Sequence, residues 1–469
     1  MEMIEREPKK ALQSPMMRQK WLVYGKYRDS GVEWLGEIPA HWKVQRIKYL
    51  FRVVNGATPR SSEPTYWDGD IPWTTPEDLG ELAQKVITSS ARMITLEGYR
   101  NCGTTLVPSG SFVLSTRAPI GHLAITGVDL CTNQGCRSLV PLSELERTYF
   151  FFQLFNAKQE MQSWGQGSTF LELGKTKLEE IQLFVPPYLE QRAIATFLDR
   201  ETAKIDALIA KKEKLIALLQ EKRAALISQA ITRGLNPDAP MKDSGVEWLG
   251  MVPEHWNIAA LKRVAKIRYG LGQPPEELLD GTPLLRATNV KKGKISKEGM
   301  MFVNPSDIPS GRDAVLSTGE IIVVRSGAYT GDSAIIPLEY NKSIIGYDLA
   351  LTIVSANSSY IAWQLLSEEI YNLQFGFYRL RAAQSHLNAE EVGGIIITLP
   401  PLDEQQAIAT HLDYETTKID ALISRIREAV EKVKEYRTAL ISAAVTGKID
   451  VRGEMAGEEE TRIEEGAAD

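Results

Sequence analysis

Two stretches of the chain have apolar residues that alternate at spacings of four and three, which is the pattern of a coiled-coil helix. Each stretch begins after a proline pair, Pro186–Pro187 or Pro400–Pro401, and ends near a glycine, Gly234 or Gly447. Proline favours the start of a helix, and glycine favours its end. Each stretch therefore predicts a helix of about 46 residues, which would be ~69 Å long at 1.5 Å per residue.

The alternating apolar positions define one seam on each predicted helix. The seam comprises Ile205, Ile209, Ile216, Leu219 and Leu226 in the first helix, and Ile419, Ile423, Ile426, Val430, Val433 and Leu440 in the second. Lys212, Arg223 and Arg437 interrupt these rows, and we expect their stems to pack while their charged heads reach solvent. A role of these residues in setting register is the alternative. Because the two rows share one register, we predict that the helices pair with each other within one chain; pairing between chains is the alternative. If the pair is antiparallel, an approximate two-fold axis relates the two copies of the repeat.

The helices are part of a long internal repeat. DSGVEWLG at 29–36 recurs at 243–250, and residues 190–209 match 404–423 at sixteen of twenty positions, both with an offset of 214. A period of this length is too long for a solenoid and indicates a duplicated domain arrangement. The equally long blocks 43–185 and 257–399 have few identities. We infer that the matched segments do the same job twice, whereas the unmatched blocks do two different jobs of one kind.

The unmatched blocks have the pattern of mixed α/β domains. Short apolar runs bounded by glycine or proline, such as GSFVLS at 110–115 and GEIIVVR at 319–325, predict strands. A helical stretch follows late in each block, at 148–163 and 359–374. We therefore expect a curved sheet with a few helices in each block, and an α/β (α+β) fold for the whole chain.

Composition and charge narrow the protein class. The chain has 469 residues, of which 43% are hydrophobic and 24% charged, which is typical of globular proteins and not of disordered or fibrous ones. No apolar run is long enough for a membrane span, and three cysteines in so long a chain indicate a reducing, cytoplasmic location. Most of the net charge of −6 lies in residues 448–469, which we expect to form a disordered acidic tail.

The sequence lacks a convincing catalytic or metal-binding motif. Residues 174–176 read GKT, but Thr169 stands where a phosphate-binding loop requires glycine, and the glycines at 270–272 lead into Gln273–Pro274 rather than a dinucleotide-binding helix. His41 and His255 occupy equivalent repeat positions, each before a tryptophan, where packing or hydrogen bonding is the expected role. We therefore predict a chain without catalytic residues, metal or cofactor.

The repeated segments resemble the specificity subunit of type I restriction–modification systems. The resemblance rests on the segment from Tyr27 to Trp42, on the PPxxEQxxIAxxLDxxTxKIDxLI block and on its xRxALISxxVTG ending, and it covers about Tyr27 to Gly447. It implies two target-recognition domains that alternate with two long antiparallel spacer helices in a pseudo-two-fold tandem repeat. The expected order is an N-terminal extension (1–26), a repeat segment (27–42), domain 1 (43–185), helix 1 (186–234), a linker with the second repeat segment (235–256), domain 2 (257–399), helix 2 (400–447) and the tail (448–469).

The same resemblance implies the partners. A subunit of this family is non-catalytic, reads a split and asymmetric site on double-stranded DNA, and binds two modification subunits that methylate adenine with S-adenosylmethionine. Restriction subunits that use ATP and Mg complete the complex. The extension and the tail depart from the family pattern, so the resemblance assigns them no role.

Base readout requires side chains that reach the edges of bases, so arginine and polar residues on loops are the candidates. The candidates are Arg60, Arg117, Arg137, Lys175 and Lys177 in the first domain, and Arg286, Lys291, Lys292, Arg325, Tyr329, Arg379 and Arg381 in the second. Each block has as many acidic as basic residues, so ordinary surface charge is the alternative for each candidate.

Two other functions fit a duplicated chain with a coiled coil. A bivalent adaptor would bind proteins through both domains, and an enzyme would carry one active site twice. The second alternative requires catalytic residues at equivalent positions, and the unmatched blocks show no aligned acid, histidine or nucleophile pair.

Overall fold

The computed structural model describes residues 21–453 except 33–35, 83, 118, 166–170, 310 and 381–385. The chain divides into two compact units, which are unit 1 (Met1–Lys211 with Ala429–Asp469) and unit 2 (Lys212–Glu428). Each unit combines a mixed domain of strands and short helices with segments of two long helices. The predicted fold class is therefore confirmed.

The strands of unit 1 form one larger sheet and several smaller ones. They are β1 (Tyr27–Asp29), β2 (Glu37–Pro39), β3 (Lys43–Arg46), β4 (Phe51–Asn55), β5 (Trp67–Thr74), β6 (Val86–Ile87), β7 (Met93–Ile94), β8 (Phe112–Ser115), β9 (Leu123–Thr126), β10 (Cys131–Thr132), β11 (Cys136–Pro141) and β12 (Gln182–Val185). The five-stranded sheet has the order β4-β11-β8-β9-β6, and a three-stranded sheet has the order β10-β5-β7. Strand β8 is buried along its whole length, because it is central in its sheet and both of its faces are covered.

An aromatic core holds the large sheet of unit 1 against a buried helix. The short helices of this unit are α1 (Ile47–Leu50), α2 (Pro76–Glu81), α3 (Leu96–Arg100), α4 (Arg147–Asn156), α5 (Lys158–Ser163) and α6 (Lys175–Glu180). Helix α4 has the sequence RTYFFFQLFN, and a helix that is apolar on most sides must be buried. Its Phe150 packs edge to face against Phe51 of the sheet, which in turn packs against Phe112.

Unit 2 repeats this architecture with different side chains. Its strands are β13 (Met241–Asp243), β14 (Met251–Pro253), β15 (Asn257–Ala260), β16 (Ala265–Tyr269), β17 (Thr282–Leu285), β18 (Val290–Lys291), β19 (Lys294–Ile295), β20 (Met301–Val303), β21 (Ile321–Val323), β22 (Ser333–Ile335), β23 (Ile344–Ile345), β24 (Leu349–Ile353) and β25 (Ile396–Leu399). The order β16-β24-β21-β22 corresponds to β4-β11-β8-β9, and β20-β17-β23 corresponds to β7-β5-β10.

Long helices follow the last strand of each mixed domain. Helix α7 (Tyr188–Arg233) precedes the short helices α8 (Ser358–Leu365), α9 (Phe375–Leu380) and α10 (Ala389–Gly394), and helix α11 (Leu402–Val445) ends the series. In unit 1, Arg437 Nε donates to Asp206 Oδ1 at 2.8 Å, and in unit 2 Arg223 Nε donates to Asp420 Oδ1 at 3.1 Å. Each of these bonds joins helix α7 to helix α11 within its own unit. The two bonds occupy equivalent positions of the repeat.

The seam positions lie on the packed side of these helices. Ile205, Ile419, Ile423, Ile426, Val430 and Leu440 are buried, whereas Ile209, Ile216, Leu219, Leu226 and Val433 are partly buried. Arg223 and Arg437 do more than place their heads in solvent, because each forms an ion pair with an aspartate of the other helix. A specific ion pair between helices favours one register over others.

The predicted acidic tail begins later than residue 448. Ile449 and Val451 are buried in the core of unit 1, and Leu22 forms a backbone bridge with Asp450. The N-terminal extension also contributes to this core through Trp21, which packs edge to face against Phe197. Apolar side chains at 449 and 451 explain why charge alone misplaced the boundary. Residues 1–20 and 454–469 lie outside the described part of the chain.

Candidate nucleic-acid interface

The basic candidates of unit 1 fall into two sets. Arg60, Lys175 and Lys177 are exposed, and Lys177 Nζ lies 5.3 Å from the centre of the Trp164 ring. Arg117 and Arg137 instead both contact Glu172. The backbone of Glu172 forms an antiparallel β-bridge with that of Arg117, and its side chain pairs with Arg137. The first set is exposed at the surface, although Lys175 pairs with Glu179 at 3.7 Å, whereas the second set belongs to a hydrogen-bonded surface.

Arg137 is largely enclosed. Its side chain is only 12% exposed, its Nη2 donates to Glu172 Oε1 at 3.3 Å, and its Nη1 donates to the carbonyl oxygens of Gln134 and Cys136. These bonds fix the guanidinium below the surface. Arg137 is therefore placed to position Glu172 and the segment 134–136 more directly than to contact a ligand.

In unit 2, three candidates lie around one hairpin and its neighbouring turn. Lys291 ends strand β18, and Lys292 lies in the turn to β19, where Lys292 and Gly293 both have positive φ, the backbone of a tight hairpin turn. Lys291 pairs with Glu298 at 3.3 Å, and Arg286 Nη2 donates to the Gly299 carbonyl at 2.8 Å. The hairpin thus presents exposed lysines, whereas Arg286 braces the chain beneath it.

Two of the remaining candidates of unit 2 lie on the segment that follows β21, and a third, on helix α9, contacts that segment. Arg325 begins this segment and Tyr329 is exposed within it. Arg379 braces the segment, because its Nη1 donates to the Thr330 carbonyl at 3.3 Å and its Nη2 to the Tyr371 carbonyl at 2.7 Å. Arg381 lies outside the described residues.

Both units build the same backbone frame at this end of the sheet. The Leu173 N–H donates to the Thr116 carbonyl in unit 1, and the Leu387 N–H donates to the Arg325 carbonyl in unit 2, at 2.9 and 2.7 Å. Glycine stands directly after strand β4 in unit 1 (Gly56) and directly after strand β16 in unit 2 (Gly270). In each unit a backbone carbonyl group, of Asn133 or Gly346, leaves no room for a side chain at the glycine. The equivalent positions can therefore be compared residue by residue.

Different side chains surround this shared frame. We define cluster 1 as Arg117, Gln134, Arg137 and Glu172, and cluster 2 as Tyr269, Arg325, Tyr347 and His386. Cluster 1 consists of three charged side chains and one amide, that of Gln134. The hydroxyl of neighbouring Thr58 donates a hydrogen bond to Gln134 Oε1. Cluster 2 is an arginine among aromatic rings.

The sequence-based selection missed Tyr269, Tyr347 and His386. Two sequence signals mark the region, since Gly56 and Gly270 as well as Leu173 and Leu387 are identical at the offset of 214. An isolated glycine within a strand pattern indicates close approach of another backbone. Tyr269 precedes Gly270 and His386 precedes Leu387, so these two identical positions mark the neighbouring residues in the sequence.

A buried carboxyl group, that of Asp348, lies next to cluster 2. Asp348 accepts a hydrogen bond from the Arg325 N–H at 3.1 Å, and its side chain is almost fully buried. Burial raises the pKa of Asp348 to about 6, and the nearby Arg325 only partly offsets this effect. The group therefore titrates close to neutral pH.

A second type of surface is the same in both units. Helix α7 carries Leu208 with the Glu201–Lys204 ion pair, and helix α11 carries Leu422 with Glu415–Lys418, all at the offset of 214. Both leucines are exposed. We call these residues the shared surface, because the same side chains occur at the same spacing in both units.

The repeated His-Trp pairs anchor each long helix. In unit 1, Trp42 Nε1 donates to Glu190 Oε1 at 3.0 Å and His41 Nε2 lies 2.8 Å from Glu190 Oε2. In unit 2, His255 Nε2 lies 2.7 Å from Glu404 Oε2. Both contacts are hydrogen bonds at the start of a helix, the role expected from the sequence.

Metal and membrane sites are not found in the described residues. No group of three or more His, Cys, Asp or Glu side chains in this part of the chain could hold a metal ion. Among the same residues, no helix is both long enough and apolar enough to cross a bilayer.

Comparison with known proteins gives one consistent family. A family model described as "Type I restriction modification DNA specificity domain" matches residues 39–217 and again 253–432. The MjaIX specificity subunit of a type I restriction enzyme from Methanocaldococcus jannaschii is 25% identical over 450 residues, which are 93% of this chain and 99% of that protein. The EcoBI specificity subunit of Escherichia coli is 21% identical over 83% of this chain and 78% of that protein.

A solved structure supports the fold. It comes from work on complex assembly and conformational transition of the type I R-M system, and it matches with a TM-score of 0.66 at 14% identity. The match covers 87% of this chain and 98% of that chain.

Proposed function

Because this chain belongs to the family of type I restriction–modification DNA specificity subunits, we propose that it selects the DNA sequence on which a larger restriction–modification complex acts. Each unit reads one half of a split, asymmetric site on double-stranded DNA. Two modification subunits bind the chain, and restriction subunits join through them. The chain itself contributes recognition and no chemistry.

One observation carries this proposal: the two units share a backbone frame but differ in the side chains placed on it. Equal frames place two reading surfaces in the same way, and different side chains at those surfaces select different bases. An enzyme that repeats one reaction requires the opposite pattern, with the same reactive groups in both units. Cluster 1 has three charged side chains and no aromatic ring, whereas cluster 2 has one arginine among three rings.

The shared surface supports two copies of one partner. Leu208 and Leu422 are exposed apolar side chains flanked by an ion pair at the same spacing, so each offers the same mixture of apolar and charged contacts. We propose that one modification subunit binds each copy. S-adenosylmethionine, ATP and Mg then belong to the partner subunits, and this chain needs no cofactor.

The charge of the chain fits a subunit that works inside a complex. Each unmatched block carries as many acidic as basic residues, so phosphate attraction by either block is modest. Affinity for DNA rises with the number of phosphates that basic groups contact. We therefore propose that the partner subunits supply a large part of the phosphate contacts, while this chain supplies base contacts.

Adenine-methylation mapping tests the proposed function. Genomic DNA is sequenced for N6-methyladenine from cells that carry an intact system with this gene, without it, and with the gene restored on a plasmid. One split methylated motif should disappear on deletion and return on restoration. An unchanged methylome in the deleted strain would refute the proposal.

A further inference from the structure

Arg325 has an environment that no other described arginine of unit 2 shares. Its guanidinium carbon lies 4.8 Å from the ring centre of Tyr269 and 4.5 Å from that of Tyr347, so the cation packs against two aromatic rings. Its Nη2 donates a hydrogen bond to His386 Nε2. The rings are 39% and 46% exposed and His386 is exposed, so this arrangement faces solvent.

The surrounding hydrogen bonds fix each member of cluster 2. Since Arg325 can only donate, His386 must accept at Nε2 and carry its own proton on Nδ1. The hydroxyl of Tyr269 accepts from the Ala389 N–H at 3.0 Å, and the Arg325 N–H donates to Asp348 Oδ1 at 3.1 Å. The plane of the guanidinium is therefore set before any ligand arrives.

The equivalent positions of unit 1 do not reproduce this chemistry. The backbone frame places Thr116 where Arg325 stands, Glu172 where His386 stands and Asn55 where Tyr269 stands. Neither a cation nor an aromatic ring occupies those three positions. The difference is confined to side chains on a common frame, as expected where two readers of one kind differ in what they read.

We propose that Arg325 reads a guanine in the half-site of unit 2, an inference that rests on the proposed function and goes beyond it to one residue and one base. The planar fork of a guanidinium can donate two hydrogen bonds to O6 and N7 of guanine in the major groove. Tyr269 and Tyr347 keep the fork in plane, and His386 sets its rotation. Lysine at this position keeps the charge but loses the fork.

Arg325→Lys in the intact system tests the assignment, with Arg312→Lys as the matched control, because Arg312 is an exposed arginine of the same unit outside cluster 2. We expect the methylated motif of the Arg325→Lys strain to lose its requirement for one guanine in one half-site. The other half-site and the control strain should keep the original motif. An unchanged motif in the Arg325→Lys strain overturns the assignment.

A binding measurement on the purified complex keeps the test decisive if the variant methylates no DNA. Duplexes with 7-deazaguanine at each guanine of the motif lack the N7 acceptor. At one position, this change should weaken binding of the wild-type complex roughly 5- to 150-fold and leave binding of the Arg325→Lys complex nearly unaffected. Equal losses for both complexes at every position overturn the assignment.

The two tests separate this inference from the proposed function. If deletion of the gene abolishes the methylated motif but Arg325→Lys leaves it unchanged, only the role of Arg325 is wrong. If deletion itself changes nothing, the proposed function fails.

Discussion

Gly270→Ala tests whether the shared backbone frame needs glycine. A Cβ atom on Gly270 would lie 2.9 Å from the carbonyl oxygen and the Cγ2 atom of Ile345, and closer still to the carbonyl oxygen of Gly346. Gly346 cannot retreat freely, because its N–H donates to the Leu285 carbonyl at 2.8 Å within the parallel pairing of β17 and β23. The substitution therefore forces backbone atoms apart.

The size of this effect follows from the contacts that must give way. Ordinary carbon–oxygen contacts are longer than those a Cβ would make here, so a backbone segment has to move by on the order of 1 Å, an overpacking that costs about 3 kcal/mol. For a unit of this size, a loss of 1 kcal/mol lowers Tm by roughly 2–4 °C. We expect the Tm of unit 2 to fall by about 6–12 °C.

Calorimetric unfolding of the purified full chain measures the change, with Gly272→Ala as the control in the same loop. A Cβ on Gly272 meets no atom within 4 Å, so this variant should melt within a degree or two of wild type. Gly56→Ala should destabilise unit 1 for the same reason as Gly270→Ala destabilises unit 2. Equal Tm values for Gly270→Ala and Gly272→Ala would refute the argument from close approach.

Three further predictions concern charge and assembly. Asp348 has a raised pKa of about 6, so its stabilising contribution is present below the pKa of this group in the unfolded chain and is lost as pH rises through 6. In denaturant unfolding, the stability of Asp348→Asn relative to wild type should therefore increase by up to about 3 kcal/mol from about pH 4 to about pH 7. A stability difference that does not change with pH would contradict this. Glu190→Ala should lower the free energy of unfolding by about 2–3 kcal/mol, because it leaves Trp42 Nε1 without its acceptor. Glu404→Ala should lower it by under about 1 kcal/mol, because Glu404 is more exposed and Trp256 Nε1 has no acceptor among the described residues. Equal losses in chemical denaturation would show that the two contacts are equivalent. Native mass spectrometry should show two modification subunits bound to the wild-type chain, and one modification subunit bound to the single variant Leu208→Glu or Leu422→Glu. Two modification subunits bound to both variants would exclude the shared surface as the binding site.

The amino-acid sequence by itself determined the repeat, the long helices and the class of fold. A helix is fixed by local preferences that repeat every few residues, so the four-and-three spacing of apolar residues and the flanking proline and glycine suffice to predict α7 and α11. A duplication leaves the same offset at every matched position, so the repeat needs no structure to be detected. The sequence also shows that Arg223 and Arg437 occupy equivalent positions of the seam, but the structure was needed to identify Asp420 and Asp206 as their partners.

Tertiary structure alone decided which candidates act together. Tyr269, Arg325, Tyr347 and His386 are far apart in the sequence. The pairing of β16, β24 and β21 brings the first three to one end of a sheet, and a backbone bridge to Ser326 places His386 beside them. Composition could not distinguish Arg325, between two rings at the surface, from Arg137, enclosed beneath Glu172. The exposure of a charged side chain depends on the elements packed around it, and those contacts form between distant parts of the chain.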